Sequence, residues 1–405
     1  MKMPLEGIRV IETGGWFVAP LVARHLGDMG AEVIKIEHPV TGDPNRGFAL
    51  TKTMRDRYTG GFNEQMAVVN RNKRSIGIDL YHQRGREIMH KLVEGSDVFV
   101  TNLRDKALVK MELDYDTLAK INPKIIYGIG TGWGRKGPDK DRPGFDLAAF
   151  AMGGAMNQMS WANAPPAPLG VAGLGDEINS LVLALGIMTA LFYRECTGVG
   201  QIVHASLIGS WLEVGGIMLQ WALYRGTDID RDTREAAGSP VWNCYQTKDG
   251  RYIQLAMIQS DPYWHDLCQA LDTGEVENDP RFNSHWARME NKVELISIFD
   301  KAFAKRTFSE WQERLKGYTI VWAPILTYTE VAKDKQIREN DYIVKIEHPE
   351  YGTIETVGLP FQLSKTPGAV RRVYPELGQH TEEILLEFGY TWDDIVKLKE
   401  QKAIN

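Results

Sequence analysis

The order of strand and helix patterns in the first 130 residues constrains the fold more than any other feature of the sequence. Short β-branched runs at residues 8–12, 31–37, 71–80, 97–101 and 124–129 alternate with helical apolar spacing at residues 20–29, 84–94 and 115–121. A strand, a helix and a second strand in this order form a parallel pair joined by a right-handed crossover. The pattern therefore predicts an α/β protein with a mostly parallel, doubly wound sheet.

Three segments rich in glycine or polar residues directly follow predicted strands. They are residues 14–17 (Gly-Gly-Trp-Phe), residues 102–104 (Asn-Leu-Arg) and residues 130–132 (Gly-Thr-Gly). Ligands of open parallel sheets bind beyond the carboxyl ends of the strands. We therefore expect these three segments to line one edge of the sheet, where a binding site would lie.

A nicotinamide site is one alternative at this edge. Gly14 and Gly15 follow the first strand, and Glu37 ends the second strand, where a ribose-binding acid would stand. The third glycine of the G-x-G-x-x-G fingerprint is missing, which disfavours a dinucleotide cofactor.

A long polar segment, residues 39–72, follows the second strand and predicts a loop that is either functional or disordered. It ends in a basic cluster formed by Arg71, Lys73 and Arg74. Such a cluster at the edge of a strand either contacts phosphates or forms a solvated surface. The sequence leaves both interpretations open.

A glycine-rich turn at residues 169–175 leads to Asp176 and then to an apolar run at residues 181–193. Glycines let the backbone turn tightly and let another molecule approach. An aspartate at this position is typical of a helix N-cap. Alternatively, the positive end of the helix holds the carboxylate ionised as a nucleophile. The apolar run itself predicts a helix buried around most of its circumference.

Four large side chains near this turn, Met152, Met156, Met159 and Trp161, have two interpretations. They fill the core and a loop, or they form an adaptable apolar pocket wall beside Asp176. The sequence does not separate these alternatives.

Composition matters mainly for the functions that it excludes. A net charge of −6 without a basic run argues against a nucleic-acid partner. Three dispersed cysteines without C-x-x-C spacing fit a reducing compartment. The apolar run after Asp176 is interpreted as too short for a membrane span, and the N-terminus shows no signal peptide. We therefore expect a cytoplasmic protein with no membrane partner.

Several reaction types also lack their motifs. The chain has no Walker A loop, no H-E-x-x-H or Cys/His metal cluster and no G-x-S-x-G elbow. We therefore expect no metal site. Covalent catalysis by the Asp176 carboxylate is the most specific chemistry that remains.

The chain resembles the class III CoA-transferases, the family of formyl-CoA transferase and carnitine CoA-transferase, over nearly all of its length. The residues that carry the resemblance are 4–10, 30–37, 72–76, 101–104, 132–138, 142–146, 175–176, 197–201 and 377–381. Within the family the likeness is greatest to the (R)-2-hydroxyacid CoA-transferases of amino-acid fermentation, which act on 2-hydroxyisocaproate or phenyllactate. Residues 102–115, 137–150 and 173–176 carry this narrower likeness.

The resemblance implies a Rossmann-like large domain with a parallel sheet, a smaller α+β domain and an interlocked homodimer. The large domain would comprise residues 1–205 and be completed by a return segment and C-terminal helices at residues 331–405. Residues 206–230 would form a linker and residues 231–330 the small domain.

The resemblance also implies a mechanism in which Asp176 is the nucleophile. Its carboxylate would attack an acyl-CoA donor to give a mixed anhydride, and the CoA thiolate would then form an aspartyl-CoA thioester. CoA thioesters are thus substrates, and no cofactor is bound permanently. Gly238, Ser239 and Pro240 are candidates for the backbone donors that stabilise the oxyanions.

The CoA-binding positions implied by the resemblance are Phe17, Val18, His38, Ile78, Asn102, Leu103, Arg104, Lys110, Met111 and Phe145. The chain departs from the family at some of them. His38 replaces a more usual arginine, which puts a phosphate contact at neutral pH in doubt. Phe145 stands where some members have tyrosine, and Trp16 with Phe17 replaces a small or polar pair. These departures predict an apolar pocket for a branched aliphatic or aryl acid.

Other functions remain open on the same fold. One is CoA transfer to carnitine-like, bile-acid or dicarboxylate groups, although no acidic or aromatic cage for a cationic acceptor is evident. Others are an acyl-CoA racemase and a non-catalytic acyl-CoA-binding protein. Covalent trapping of Asp176 would separate the transferase from both.

Overall fold

The computed structural model describes residues 2–47, 61–166, 170–171 and 173–405. The chain divides into two compact units. The first comprises Met1–Met156, Pro168–Leu219 and Lys335–Asn405, and the second comprises Asn157–Ala167 and Gln220–Asp334.

A six-stranded sheet organises the described part of the first unit. Its strands are β1 (Arg9–Thr13), β2 (Glu32–Glu37), β3 (Lys73–Gly77), β4 (Val98–Thr101), β5 (Ile126–Thr131) and β6 (Gln201–Ser206). All neighbouring pairs are parallel, in the order β3-β2-β1-β4-β5-β6. This is the doubly wound order in which the crevice for ligands opens beside β1 and β4. The predicted α/β class is confirmed.

Helices connect these strands. In chain order they are α1 (Val18–Asp28), α2 (Glu64–Val69), α3 (Gln83–Glu94), α4 (Asp105–Lys110), α5 (Tyr115–Ile121), α6 (Asp146–Met152), α7 (Ala155–Gln158), α8 (Leu174–Thr197), α9 (Leu207–Val214) and α10 (Gly216–Arg225). The helices predicted at residues 20–29, 84–94 and 115–121 correspond to α1, α3 and α5.

Alternating side chains along each strand build a separate core on each face of the sheet. Val10 and Val98 are paired on one face and pack with α1 and α8. Ile11 and Phe99, one residue further along each strand, are paired on the opposite face and pack with α3. Continuous apolar strands are needed because both faces are covered.

The second unit contains a three-stranded antiparallel sheet among its described residues. Its strands are β7 (Cys244–Gln246), β8 (Tyr252–Leu255) and β9 (Trp322–Pro324), in the order β7-β8-β9. The helices of this unit are α11 (Trp264–Leu271), α12 (Gly274–Glu277), α13 (His285–Glu290), α14 (Lys292–Phe303), α15 (Phe308–Leu315) and α16 (Tyr328–Val331). One apolar cluster that includes Tyr245, Phe299 and Trp311 forms its core.

The C-terminal segment returns to the first unit. It contains α17 (Lys335–Glu339), the antiparallel hairpin of β10 (Ile343–His348) and β11 (Gly352–Val357), α18 (Thr381–Glu387) and α19 (Trp392–Glu400). Ile384 and Ile395 add to the core that α3 covers. The hairpin is not among the elements that the sequence pattern predicts.

The basic cluster at the start of β3 is buried, and its cations are paired with acidic side chains of the protein. Lys73 is buried, and its ammonium donates to Glu12 at 3.1 Å and to the carbonyl of Pro20 at 2.7 Å. Arg71 is buried against Asp28, with a guanidinium–carboxylate distance of 2.7 Å. Both interpretations drawn from the sequence are therefore wrong for these cations, because their acidic partners come from other elements.

Arg74 is also buried and paired with acids, on the other face of the sheet. Its guanidinium donates at 2.7 Å to both Glu383 and Glu387 of α18. The cluster thus ties β3 to the C-terminal helices and to α1.

Helix α8 corrects two expectations. It has 24 residues and is long and apolar enough to cross a membrane by length and composition, so the prediction that it is too short is wrong. It is also not buried all around. Leu183 and Ile187 lie in the core, whereas Leu185 and Phe192 are 70% and 74% exposed in this chain. Only one face of the helix packs on the sheet. Apolar residues continue around the helix beyond the width of that contact, and those residues are therefore exposed in this chain.

Candidate active site

A cavity of about 780 Å³ opens in the first unit at the carboxyl ends of the central strands. Trp16 and Phe17 follow β1, Asn102 to Arg104 follow β4, and Gly130 to Gly132 stand at the end of β5; all line it. The expectation that these three segments share one edge is confirmed. The lining also includes Val18, Phe145, Asp146 and Asp176.

Asp176 stands in the first turn of α8 but does not cap the helix. Gly173, with φ of +71°, precedes the first helical residue, so Asp176 is the third residue of the helix. The N-cap interpretation is therefore wrong. No hydrogen bond to the Asp176 carboxylate is found among the described residues.

The charge state of Asp176 also differs from the expectation. Burial, together with the negative charges of Asp146 and Glu177, raises its pKa from 3.8 to about 7. The helix end does not keep it fully ionised, because another carboxylate already occupies that end. The Oδ2 atom of Asp146 accepts the backbone N–H of Gly175 at 3.0 Å.

Asp146 joins three helices around the turn that carries Asp176. It begins α6, its Oδ2 binds Gly175 of α8, and its Oδ1 accepts the indole N–H of Trp211 in α9 at 3.0 Å. A Cβ atom at Gly175 would overlap Asp146 Oδ1 and lie 2.5 Å from Trp211 Nε1. Only glycine allows this close approach.

Sequence reasoning missed this role of Asp146 and of Trp211. Asp146 was noted only as part of a family motif, and Trp211 lies 65 residues further along the chain. The one local signal is an acid just before the short apolar run at residues 147–152, which by itself indicates no more than helix stabilisation.

Glu177, the next residue of α8, has opposite surroundings. Arg24 donates to its carboxylate at 2.7 Å, and His25 lies 3.3 Å away. Burial alone would raise its pKa, but these neighbours lower it to about 2. Glu177 is thus a structural anion, whereas no cationic partner of Asp176 is found in the part of the chain that the structure describes.

One side of the cavity is apolar. Trp16 and Phe145 meet edge to face with their ring centroids 6.2 Å apart, and Phe17, Val18 and Leu207 continue the wall. The wall proposed from Met152, Met156, Met159 and Trp161 is not found here, since none of these four side chains lines the cavity. Met152 is exposed, and Met156 packs on the buried apolar cluster that includes Phe150 and Trp211. Met159 and Trp161 belong to the second unit.

Another part of the lining is charged. Arg104, Arg135, Lys140 and Arg142 provide cations, and Asp105 and Asp141 provide anions. The carboxylate of Asp105 lies 3.7 Å from Arg135. Ion pairs this exposed are weak, so the guanidinium can exchange partners and bind a phosphate or carboxylate.

Four of the residues implied in CoA binding lie outside this cavity. The Nδ1 atom of His38 accepts the backbone N–H groups of Val40 and Thr41, each at 3.2 Å. Ile78 and Met111 are buried in the core, and Lys110 lies 5.0 Å from the ring centroid of Tyr81. The other six, Phe17, Val18, Asn102, Leu103, Arg104 and Phe145, line the cavity with Asp176.

Glu37, the candidate ribose acid, is already occupied. Arg46 donates two hydrogen bonds of 2.7 Å to its carboxylate, and the hydroxyl of Ser75 donates a third at 2.6 Å. The carboxylate therefore serves the fold.

Other parts of the predicted site lie in the second unit or outside the described residues. Gly238, Ser239 and Pro240 precede β7 in the second unit, and their oxyanion role stays a prediction. Residues 48–60 of the long loop, and Leu169 and Ala172 of the glycine turn, lie outside the described residues. In the part of the chain that the structure describes, no three His, Cys, Asp or Glu side chains are grouped to hold a metal ion.

Comparison with known proteins gives consistent matches along the chain. The family model described as CoA-transferase family III matches residues 5–381. The chain is 34% identical to (R)-2-hydroxy-4-methylpentanoate CoA-transferase of Clostridioides difficile, over 99% of this chain and 100% of that protein. It is 33% identical to cinnamoyl-CoA:phenyllactate CoA-transferase of Clostridium sporogenes, over 98% of this chain and 97% of that protein.

Two further findings bound this similarity. Relatives 30–32% identical to the chain are named for succinyl-CoA and formyl-CoA. Among solved structures, a CAIB/BAIF family protein from Brucella suis matches with a TM-score of 0.84 and 28% identity, over 96% of this chain and 100% of that one.

Proposed function

Because the chain belongs to CoA-transferase family III, we propose that it transfers CoA from an acyl-CoA donor to a 2-hydroxycarboxylic acid, through covalent intermediates on Asp176. The acceptor class proposed is (R)-2-hydroxyisocaproate or phenyllactate. The single observation that carries the proposal is the Asp176 carboxylate, which has no cationic partner among the described residues and stands in a cavity lined by both aromatic and cationic side chains.

The chemistry needs no group beyond the substrates. An oxygen of Asp176 attacks the thioester carbonyl, the carbon–sulfur bond breaks, and CoA leaves as a thiolate from a mixed anhydride. The thiolate attacks the aspartyl carbonyl, and the donor acid leaves as its carboxylate. The acceptor carboxylate then attacks the aspartyl-CoA thioester, and the same steps run in reverse. One activated acyl bond is kept throughout, so no ATP is required.

The raised pKa of Asp176 fits this role. Only the ionised carboxylate attacks, and among carboxylates a higher pKa accompanies greater nucleophilicity. With a pKa of about 7, a substantial part of Asp176 is ionised at neutral pH. The rate should therefore rise as the pH increases through this value.

The aromatic and the cationic lining residues suggest which part of each substrate they contact. The cations Arg104, Arg135, Lys140 and Arg142 suit the phosphates of CoA, and the aromatic wall suits an apolar acyl group. For His38, Ile78, Lys110 and Met111, the proposed CoA contact rests on the family resemblance alone.

The exposed face of α8 supports the proposed homodimer. Leu181, Leu185, Met188 and Phe192 are exposed there in the single chain. A contiguous apolar face of this kind is typical of an association surface, and we propose a second copy of the chain as its partner. We also propose a cytoplasmic enzyme without a membrane partner.

Mass spectrometry after incubation with 2-hydroxyisocaproyl-CoA and hydroxylamine tests the nucleophile. We expect a hydroxamate on the peptide that contains Asp176, and none in Asp176→Ala. Glu177→Gln is the matched control, because it alters the adjacent acid of the same peptide and should keep the adduct. An unmodified peptide in an enzyme that still binds CoA would contradict covalent transfer.

Acceptor assays test the substrate. Transfer rates with (R)-2-hydroxyisocaproate, phenyllactate, malate and carnitine are compared at one donor concentration. Preference for malate or carnitine would contradict the proposed acceptor class but would not contradict CoA-transferase activity. Exchange of the α-proton of an acyl-CoA with solvent deuterium, without CoA transfer, would instead identify a racemase.

A further inference from the structure

We propose that Trp16 is a specificity-determining residue, held in a left-handed backbone conformation so that its ring forms, with Phe145, the wall that selects the acyl group beside Asp176. This inference rests on the proposed function and names the feature of the acid that the site recognises. Trp16 is not among the residues that the family resemblance implies in CoA binding; its departure from a small or polar residue predicts an apolar pocket, and its backbone geometry and its contact with Phe145 carry the inference further.

The backbone of Trp16 is strained. Its φ is +64°, which lies in the left-handed region. Residues other than glycine seldom adopt this conformation. Such a conformation persists only when the surroundings determine it, and it clusters at functional sites. The residues around Trp16 supply that constraint.

Hydrogen bonds hold both sides of the strained residue. The N–H of Trp16 donates to Asp43 Oδ1 at 3.3 Å, and the side-chain amide of Asn45 donates to the carbonyl of Trp16. The preceding residue, Gly15, is held by the side chain of Asn102, which accepts its N–H at 3.2 Å and donates to its carbonyl at 2.8 Å.

Asp43 is itself anchored in the protein interior. Its Oδ2 accepts a hydrogen bond from Lys35 at 2.8 Å, and both side chains are fully buried. Its Oδ1 also accepts the N–H of Asn45 at 2.9 Å, at the start of the 3₁₀ turn Pro44–Arg46. A buried ion pair thus fixes the group that holds Trp16, so the ring position is part of the rigid scaffold.

The aromatic pair flanks the turn that presents the nucleophile. Phe17, which follows Trp16, has ring atoms 3.4 Å from a Cβ built on Gly173, and Asp176 Oδ2 is 3.7 Å from the same point. Asp146, which follows Phe145, binds the N–H of Gly175. Each ring of the pair therefore belongs to a residue whose neighbour contacts the Gly173–Gly175 turn.

A wall of two ring edges beside the reacting carboxylate recognises apolar bulk. A branched alkyl or aryl group would replace water against Trp16 and Phe145, whereas a distal carboxylate placed against the same two rings would lose hydration that the rings do not replace. In a hydrophobic pocket one methylene alone changes discrimination by about 10- to 200-fold. We therefore expect acids with an apolar group of four or more carbons to be preferred over lactate and malate.

Two variants at one position separate the ring from the backbone strain. Trp16→Ala and Trp16→Gly both remove the ring, but only glycine adopts the positive φ freely. We expect the kcat/KM ratio of 2-hydroxyisocaproate to lactate, and of phenyllactate to malate, to fall at least tenfold in both variants. Trp16→Gly should unfold at a higher temperature than Trp16→Ala, which reports the strain.

Trp392→Ala is the control variant, since Trp392 is exposed at the start of α19, and it should change neither ratio. Unchanged ratios in the Trp16 variants, or an equal fall for all four acids, would overturn the inference. If instead the wild type transfers CoA to no acid and Asp176 forms no adduct, the proposed function fails and takes this inference with it. Normal transfer with unaltered preference removes the inference alone.

Discussion

Glu37 at the end of β2 is buried and Asp176 at the start of α8 is half-buried, yet their pKa values move in opposite directions. For Glu37, burial would raise the pKa, but two hydrogen bonds from Arg46 and the charge of Lys35 lower it to about 2. For Asp176, burial raises the pKa to about 7, and the nearby acids Asp146 and Glu177 add to the rise. Burial is common to both acids, so the sign of the neighbouring charge decides the outcome.

The comparison separates structural acids from reactive ones. Glu37 is locked to its partners and cannot bind another group without breaking them. Asp176 is half-buried, and among the residues that the structure describes no cation compensates its lost solvation, which is a cost to stability and an asset to a nucleophile. Glu177 shows that one step along the same helix suffices to change class, because Arg24 lies next to it.

The largest expected effect comes from removing the reactive acid. Asp176→Asn should lower CoA transfer by about 10⁶-fold, the scale seen when a covalent nucleophile is lost. In the folded wild type the pKa of Asp176 is raised. Between about pH 4 and pH 7 the folded protein therefore holds a proton that the unfolded chain has released. Wild-type stability therefore falls as the pH rises through this window.

The variant lacks that loss. Its unfolding midpoint should rise relative to the wild type as the pH increases from about 4 to about 7. Thermal unfolding of both proteins over this range measures the difference. A constant difference would mean that Asp176 is ionised throughout and that the comparison with Glu37 fails.

The next effect tests the structural acid. Arg46→Ala leaves the Glu37 carboxylate buried without its main partner, which should cost about 3 kcal/mol of unfolding free energy. Because the pKa of Glu37 is depressed, this contribution is present above its ordinary value of 4.5 and is lost as the pH falls towards 2. The difference between the two proteins should therefore shrink on acidification.

Chemical denaturation at several pH values gives this result. Arg84→Ala is a matched control, because Arg84 pairs with Glu87 on the exposed surface of α3. It should leave the midpoint unchanged. Equal losses in both variants would show that the burial of Glu37 has no special weight.

A smaller effect isolates the charge of Asp146. Asp146→Asn removes one of the negative charges that raise the pKa of Asp176, so the acid limb of the kcat/KM profile should move to lower pH. Trp211→Phe removes a hydrogen bond to Asp146 but keeps its charge. It should destabilise the turn without moving the limb, and a shift of equal size in both variants would contradict the electrostatic account.

The smallest effect belongs to the neighbouring acid. Glu177→Gln keeps an acceptor for Arg24, and the carboxylate is 38% exposed, so the cost to stability should stay below about 1 kcal/mol. Transfer activity should remain within a few-fold of the wild type. A loss comparable with that of Asp176→Asn, measured by steady-state kinetics, would erase the distinction between the two acids.

Local patterns predicted much of this molecule. Apolar runs alternating with helical spacing led to the parallel sheet and to the edge where the cavity lies. The glycine turn before an apolar run indicated Asp176. The patterns failed where partners are far apart in sequence: Arg71 meets Asp28, and Arg74 meets Glu383.

The site divides in the same way. Trp16 and Phe145 are 129 positions apart in the sequence, and only the fold brings their rings together. The proposed wall of Met152, Met156, Met159 and Trp161 relied on nearness in sequence to Asp176, and the chain carries these residues elsewhere.

The sequence by itself determined the class of fold and the position of one carboxylate at the start of a helix, because periodicity and turn residues act over a few neighbours. Tertiary structure alone decided the charge state of that carboxylate. A pKa depends on desolvation and on charges within a few ångströms, and the first of those charges, Asp146, comes from another helix. The same physics made Glu37 a structural acid and left Asp176 free to react.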